Sequence, residues 1–398
     1  MIPYAKHSIS SKEIRACIQV LKSGSLSQGP QIPAFEKSFR QFCSVPHAVA
    51  VSSGTAALHL ACRAAAFGTG HEIIVPAMTF VATANAVLFC GATPVFADID
   101  LATGNVTVES IRRVLTPHTR GIIVVHFGGQ PVDLAPIAAL AKERRLILIE
   151  DACHALGAAY QKRRIGDARF SNLCTFSFHP AKNITTGEGG MVTTRDAQLA
   201  RKVRDLRNHG LVREADRWEN ADKSKLAYYE MQDLGLNYRL TDLQCAIGVE
   251  QLKRLPVLNE KRKKIACLYK EGLRDLVGIH LLEEKWGMSC WHLFVIRVTR
   301  DCGWSRDELA MTLRERGIST SVHYVPVPLH PYYQRILKPC SQTIPYALRW
   351  ADEAMSLPIF PDLARSDVNR IIRTIRTLLL NRSSNLASAR SAPVASLS

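Results

Sequence analysis

Three stretches of this 398-residue chain combine residue types that could do chemistry, and each follows a short apolar run. In AVAVSSGTAALHLA, Ser52, Ser53, Gly54 and Thr55 separate a strand-like run from a helical one. Small hydroxyl residues and a glycine at a helix start suit an anion, because the first N–H groups are free and the dipole favours negative charge. The plainer reading is that Ser53 or Thr55 only caps the helix. In LILIEDACHALG an apolar run ends in Glu150 and Asp151, with His154 three residues on. A carboxylate at the tip of a buried strand is costly without a cationic partner, and a protonated ring nitrogen is one such partner. The plainer role for Asp151 is a cap on the next segment of chain. In CTFSFHPAKNITTGEGGMVTT, a strand predicted from Leu173 to Phe178 leads to His179, Pro180 and Lys182, then to Gly187-Glu188-Gly189-Gly190. A lysine between a strand and a turn that needs glycine is well placed to form a carbonyl adduct, since a desolvated ammonium gives up its proton readily. Taken alone it reads as a surface lysine.

The elements that position these residues come from the apolar periodicity. SKEIRACIQVLKSG, apolar at Ile14, Ile18 and Leu21, reads as a helix ending at Gly24; the loop SLSQGPQIP and a helix around AFEKSFRQFC come next. From His47 strands and helices alternate: AVAVSSG, EIIVPA, PVFADI, GIIVVHF and LILIEDA as strands, TAALHLACRAAA and TFVATANAVLFCG as helices. Fully apolar strands joined by helices predict a mostly parallel sheet covered on both faces, an α/β fold. Ligands of such sheets sit outside the carboxyl ends of the strands, where all three stretches fall. After Gly190 the pattern is charged and helical, then polar around Trp218, Tyr228 and Tyr229. A long helical pattern starts near Thr241, and Pro256 is expected to mark a kink or a boundary. Short strands such as WHLFVIRVT and helices such as RDELAMTLRERG then suit a smaller α+β domain. The expected division is a large domain over 1–250, a small one over 251–382, and a disordered Ser/Ala-rich tail over 383–398.

Composition narrows the function classes. Apolar residues make up 47% and charged residues 22%, which is enough for a large core and excludes bulk disorder. No run approaches the ~18–20 apolar residues of a membrane span. The opening MIPYAKHSIS has no apolar h-region, so no secretory signal is expected. Eleven scattered cysteines without a CxxC pair argue against a disulfide framework and a zinc site, and for reduced thiols in a cytoplasm. The net charge of +16 could mean a nucleic-acid partner. With no recognition-helix, zinc-finger or aromatic–basic pattern, a basic surface that attracts anionic small molecules is the better reading.

A phosphate site, an acid for a pyridinium nitrogen and an amine for a carbonyl, all at strand ends, are the parts that pyridoxal-phosphate chemistry needs. The sequence also resembles the sugar-nucleotide aminotransferases of the DegT/DnrJ/EryC1/StrS family, from about Ile2 to about Leu380. The resemblance rests on ordered blocks that include VSSGTAALHLA, PAMTFVATANAV, IEDACHALGA, TFSFHPAKNITTGEGG, GLNYRLTDLQCAIGVEQL and SVHYVPVPLHPYY. It implies fold type I of the pyridoxal-phosphate enzymes. Lys182 then matches the Schiff-base lysine and Asp151 the carboxylate at the pyridine nitrogen. His154 would lie near the cofactor's phenolic oxygen, Gly54, Thr55 and Ser177 would cradle the phosphate, and Phe80 would stack on the ring. Asn237, with Arg239 beside it, would reach the cofactor of the neighbouring subunit, which implies a homodimer with shared sites.

On the substrate side the resemblance implies Tyr4, Gln28, His179, Arg239, His323, Tyr324 and His330. Several blocks lean toward the branch that aminates C4 of a UDP-linked 4-keto-6-deoxy-N-acetylhexosamine with L-glutamate, in pseudaminic acid biosynthesis. The alternatives are the same chemistry on UDP-4-keto-arabinose or on a TDP- or GDP-sugar, and a catalytically silent nucleotide-sugar or nucleic-acid binding protein. Lys182 argues against the dehydratase branch, which carries histidine there. Two departures, SGSLSQGP without a bulky aromatic before Leu26 and Gly128–Gly129 in VVHFGGQ, fall where sugar contacts are expected.

Overall fold

A computed structural model describes residues 1–219, 228–337 and 343–390, with the backbone alone for 383–390. Seven strands form the central sheet: β1 (His47–Val51), β2 (Glu72–Pro76), β3 (Thr93–Ala97), β4 (Thr119–Val125), β5 (Ile147–Asp151), β6 (Leu173–Ser177) and β7 (Gly190–Thr194). Their order is β1-β7-β6-β5-β4-β2-β3. All run in one direction except β7, which pairs antiparallel with both β1 and β6. The expected parallel sheet is therefore correct but for this one strand, which the glycine turn after Lys182 folds back along β6. The pairings Val125↔Asp151 and Asp151↔Thr175 bring the carboxyl ends of β4, β5 and β6 level. The strands are apolar because both faces are covered, by helices that include α2 (Gln31–Cys43), α3 (Gly54–Ala64), α4 (Ala82–Phe89), α5 (Leu134–Glu143) and α6 (Ala197–Arg207).

The helix α7 (Asp242–Leu273) starts at the Thr241 cap and runs on through Pro256. It does not end at the proline, and the boundary expected at 250/251 lies inside it. Leu252, Leu255 and Leu258 belong to the core around the large sheet. Ile265, Tyr269 and Leu273 belong to a second apolar cluster. That cluster packs a three-stranded antiparallel sheet, β8 (Ile279–Leu281), β9 (Phe294–Val298) and β10 (Ala354–Leu357), against the final helix α8 (Arg365–Arg390). The backbone of α8 stays helical to Arg390, well into the stretch expected to be a tail, and 391–398 lie outside the described residues. Among the described residues no helix is long and apolar enough to cross a membrane.

The first helix, α1 (Ser11–Lys22), departs from its simple pattern. The stripe Ile14, Ile18 and Leu21 faces outward, and the buried side chains are Glu13 and Val20. A polar contact with α7 turns the helix this way. Glu13 Oε1 accepts hydrogen bonds from Arg254 (2.6 Å) and Gln251 (2.7 Å), and Oε2 accepts from the Ser10 backbone N–H (2.8 Å). Burial alone would raise the Glu13 carboxyl, but the hydrogen bonds from Ser10, Arg254 and Gln251 prevail and hold it down at about 2.

Removing this acceptor takes from Gln251 and Arg254 their charged partner in the seam and leaves their N–H donors only Ser8. Glu13→Ala should therefore lower unfolding stability by about 2 kcal/mol, read from urea titrations. Because the folded carboxyl lies below its ordinary value of 4.5, its contribution is complete above that pH and is lost as the pH falls toward about 2. The stability difference between wild type and Glu13→Gln should shrink over that window.

Candidate active site

A cavity of about 430 Å³ opens at the carboxyl ends of β4, β5 and β6, walled by Val125, Asp151 and Ser177 from the strand tips and by Gly54 and Thr55 from the start of α3. Ser53 is the N-cap of α3, its Oγ accepting from Ala56 N–H at 3.0 Å, so the plainer reading holds for Ser53. The first N–H groups of a helix have no acceptor within it, and Gly54 and Thr55, the first two residues of α3, belong to the wall. Glycine is required where these segments meet. A Cβ on Gly54 would lie 2.7 Å from Ser177 Cβ, and one on Gly190 would lie 2.3 Å from the Ser53 carbonyl oxygen. Side chains at either place would push the start of α3 away from the strand ends.

Asp151 is 5% exposed, and its carboxylate is held at both oxygens. Oδ2 accepts from Thr83 Oγ1 at 2.7 Å, and Oδ1 from the Cys153 backbone N–H at 3.1 Å. The capping role and the cavity role thus coexist. Thr83 is itself fixed by Thr79, 2.8 Å away. Lys182 stands on the same cavity wall, its backbone N–H bonded to the His179 carbonyl at 2.9 Å. Burial pushes its ammonium below the ordinary range, while Cys153 and Asp151 act to retain the proton.

Facing these groups is a set of imidazoles and phenols. His154 Nδ1 accepts from the Gly128 N–H (3.4 Å), which leaves Nε2 to donate toward the Tyr324 hydroxyl at 3.1 Å. The His292 ring lies 4.4 Å from that of His154. Its Nδ1 is 3.1 Å from Asn183 Oδ1, and the Asn183 amide donates to Asn259 Oδ1 and to the Cys290 carbonyl. The asparagine oxygen is therefore the acceptor and His292 Nδ1 the donor. His323 is held by Ser356 Oγ at 2.8 Å and by the Tyr4 hydroxyl at 3.2 Å. Removal from water, reinforced by Lys182, keeps His154 well below the usual imidazole value and His323 at about 4; His292 is lowered by burial first and then by its histidine and lysine neighbours. All three are neutral at pH 7.

Tyr4, Phe80, His179, His323 and Tyr324 all line the cavity alongside the cofactor-type residues Gly54, Thr55, Asp151, His154, Ser177 and Lys182. The Phe80 ring is exposed and lies 5.9 Å from Tyr324. Four expected residues lie elsewhere. Gln28 and Arg239 line a separate cavity of about 380 Å³ between the start of α2 with the residues before it and α6. Asn237 is exposed, in a bridge to Asn208, whose side chain accepts from Arg239 at 2.6 Å. His330 lies outside both cavities, at the start of the short helix Pro331–Ile336, because the chain has already turned away after Tyr324. Gly128 and Gly129 also miss the wall. A Cβ on Gly129 would lie 2.8 Å from Cys290 Sγ, so these glycines let the chain pack under His292. Thr83, Cys153, Asn183 and His292 are site residues that the sequence reading missed. Thr79 and Thr83 are four residues apart at the entry to α4, a spacing that could have drawn attention. His292 opens a run that reads as plain core strand, and nothing local marks it.

A doubly covered sheet with an acid, an amine and a helix start suited to an anion at its carboxyl ends is the frame of a pyridoxal-phosphate-dependent aminotransferase of fold type I. The chain belongs to the DegT/DnrJ/EryC1/StrS aminotransferase family, which it matches over residues 7–376. It is 39% identical over 381 residues to the spore coat polysaccharide biosynthesis protein SpsC of Bacillus subtilis, covering 95% of this chain and 97% of that one. Among solved structures it is similar to PseC of Helicobacter pylori, an aminotransferase involved in the biosynthesis of pseudaminic acid (TM-score 0.87, 30% identity, 96% and 98% coverage). It is also similar to Spr1654 of Streptococcus pneumoniae in its PLP form (TM-score 0.86, 28% identity, 96% and 99% coverage).

The neutral histidines have a measurable consequence. An unfolded chain protonates them near pH 6.5, the folded chain only at lower pH, so the unfolded state binds more protons between the two values. Stability should fall as the pH drops from 6.5 toward about 4, a window that opens above that of Glu13. His323→Gln removes one such group and should flatten the fall, seen in urea midpoints measured between pH 7 and 4.5.

Proposed function

We propose that this chain moves an amino group from L-glutamate to C4 of a UDP-linked 4-keto-6-deoxy-N-acetylhexosamine, giving UDP-4-amino-4,6-dideoxy-N-acetyl-β-L-altrosamine, the step of pseudaminic acid biosynthesis. The observation that carries the reaction type is the burial-lowered Lys182 amine sharing one cavity with the twice-bonded Asp151 and the free start of α3. These residues fit pyridoxal phosphate. The turn pinched by Gly54 and Ser177 suits its phosphate, Asp151 its ring nitrogen, Phe80 its ring face, and Lys182 its aldehyde. When bound, the group supplies a carbonyl and an electron-accepting ring. The chain's own work is to hold and move protons. Lys182, easily deprotonated, serves as the base that takes a proton from the donor's α-carbon and returns one to the sugar C4. Asp151, fixed in place by the Thr83 and Cys153 donors, would hold a proton at the ring nitrogen. His154 and Tyr324 form a fixed pair of neutral hydrogen-bonding groups in the same cavity.

On the sugar, the likeness to PseC supports a place in pseudaminic acid biosynthesis. A second reading is the same C4 transamination on another nucleotide sugar. It is favoured by the higher identity to SpsC, whose name places it in spore coat polysaccharide synthesis. We assign Tyr4, His323 and Tyr324 to the sugar side. The basic excess of the chain favours the diphosphate. Glutamate with a panel of UDP-, TDP- and GDP-linked 4-keto sugars, products identified by mass and NMR, separates the two readings. With the preferred sugar, Lys182→Ala should abolish turnover and leave no cofactor fixed by borohydride. Asp151→Asn should cut turnover by at least ~100-fold with the fold intact. A near-normal rate in either variant would overturn that assignment.

We also propose a homodimer in which Asn237, Arg239 and Gln28 serve the partner's cavity. The exposure of Asn237, the placement of all three outside their own chain's cavity and the outward stripe Ile14, Ile18 and Leu21 support it. Mixing inactive Lys182→Ala chains with inactive Asn237→Ala chains should restore one working site per heterodimer, about half the wild-type rate per heterodimer if sites act independently. Heterodimers that form without recovering activity would exclude shared sites.

A further inference from the structure

His292 lines the cavity beside Lys182 and His154, yet the proton transfers leave it unused. Its place is fixed from two sides. The buried Arg262 guanidinium donates to its carbonyl oxygen at 3.3 Å, and its Nδ1 lies 3.1 Å from Asn183 Oδ1. The Asn183 amide nitrogen donates to Asn259 Oδ1 at 2.7 Å and to the Cys290 carbonyl at 3.0 Å. Asn259 in turn donates to the Leu156 carbonyl at 3.1 Å. Turning either amide over would set two acceptors against each other, so Asn183 Oδ1 must be the acceptor and His292 Nδ1 must carry hydrogen. The ring is neutral, because burial and the neighbouring histidine, lysine and arginine charges all lower it. A neutral imidazole has one N–H, which makes Nε2 a bare acceptor. No described residue donates to Nε2, and it is not among the sealed, unpartnered atoms, as His59 Nε2 and Arg262 Nε are. Nε2 is therefore open to the cavity that His292 lines.

We propose that His292 is a specificity-determining residue whose Nε2 accepts a hydrogen bond from a neutral O–H or N–H group of the sugar. This rests on the function proposed above, which brings three ligands to the cavity. Glutamate presents two carboxylates beside the amine that reacts, and the cofactor presents a phosphate; these are acceptors, and the hydrogen of the cofactor's ring nitrogen faces Asp151. Free hydroxyl and amide hydrogens come with the sugar. A neutral imidazole accepts from them without repelling the anionic groups that share the cavity, as a carboxylate would. The Asn183 contact holds the tautomer, so Nε2 does not turn into a donor. A sugar that places an acceptor there, or nothing, leaves a buried polar group unpaired, and sites built on such a contact discriminate strongly.

Nitrogen NMR of the holoenzyme with isotope-labelled histidine reads the tautomer directly. The His292 signals, assigned by their loss in His292→Gln, should show the hydrogen on Nδ1 and none on Nε2. UDP-N-acetylglucosamine, a nucleotide sugar without a ketone to react, should shift the Nε2 signal toward that of a hydrogen-bonded acceptor. 2-Oxoglutarate, which offers acceptors alone, should leave it in place. With the keto sugar preferred in the panel, His292→Phe should raise KM for that sugar about tenfold and change the half-reaction with glutamate by less than about twofold. His292→Gln keeps an acceptor at similar reach and should recover most of the loss. A hydrogen on Nε2, an Nε2 signal unmoved by the nucleotide sugar, or equal losses in both half-reactions would overturn the proposal; equal losses would mean that His292 supports His154 or takes a hydrogen bond from Lys182. The wild-type signals decide the matter even if a variant fails to fold. They need no turnover, so failure of the proposed reaction shows separately, as a panel in which no keto sugar is aminated.

Discussion

Asp151 is a buried carboxylate at the tip of a central strand, and most of the site can be traced to keeping it there. Leaving such a charge unpaired in an apolar sheet would cost several kcal/mol, enough to cancel much of a domain's net stability. The chain offsets this locally with two donors, a hydroxyl from the first turn of α4 and the N–H of Cys153. Neither neutralises the charge, so the carboxylate stays available to a cation in the cavity. The same charge favours the protonated form of Lys182, against the burial that disfavours it. The lysine is therefore poised between two opposing influences.

Neutral side chains complete the surroundings. Three imidazoles near an amine would repel one another if charged, and removal from water keeps them uncharged. Their orientations are set by hydrogen bonds that each use one ring nitrogen: Gly128 N–H at His154, Asn183 at His292 and Ser356 at His323. Rigidity of this kind is what a site needs to discriminate sugars that differ by one hydroxyl, since an unpaired polar group in such a wall is expensive. The wall draws on both apolar cores. His323 binds Ser356 of the small sheet, and Asn183, beside Lys182, reaches Asn259 on α7. The unbroken α7 links the two cores rigidly, which is a reason for the helix to continue through Pro256 despite the lost hydrogen bond.

The sequence by itself determined the elements and the residues at their ends. Apolar runs of strand length alternating with helical periods dictate a covered parallel sheet, and the position after each run identifies Gly54, Asp151 and Lys182 without any contact being known. These signals are local, carried by neighbours along the chain. Tertiary structure decided whatever depends on distant partners. Asn183 and His292 are 109 residues apart, and only the packing of the β9 segment under Gly129 brings His292 against His154. The face that α1 buries was settled by Arg254 and Gln251, against its own apolar stripe, because a buried carboxylate with two side-chain donors on the neighbouring helix fixes a helix's rotation where three aliphatic side chains do not. Likewise, the fold separates Gln28, Asn237 and Arg239 from their own cavity although they resemble site residues, because closeness in space depends on the path of the whole chain, which no short stretch of sequence encodes.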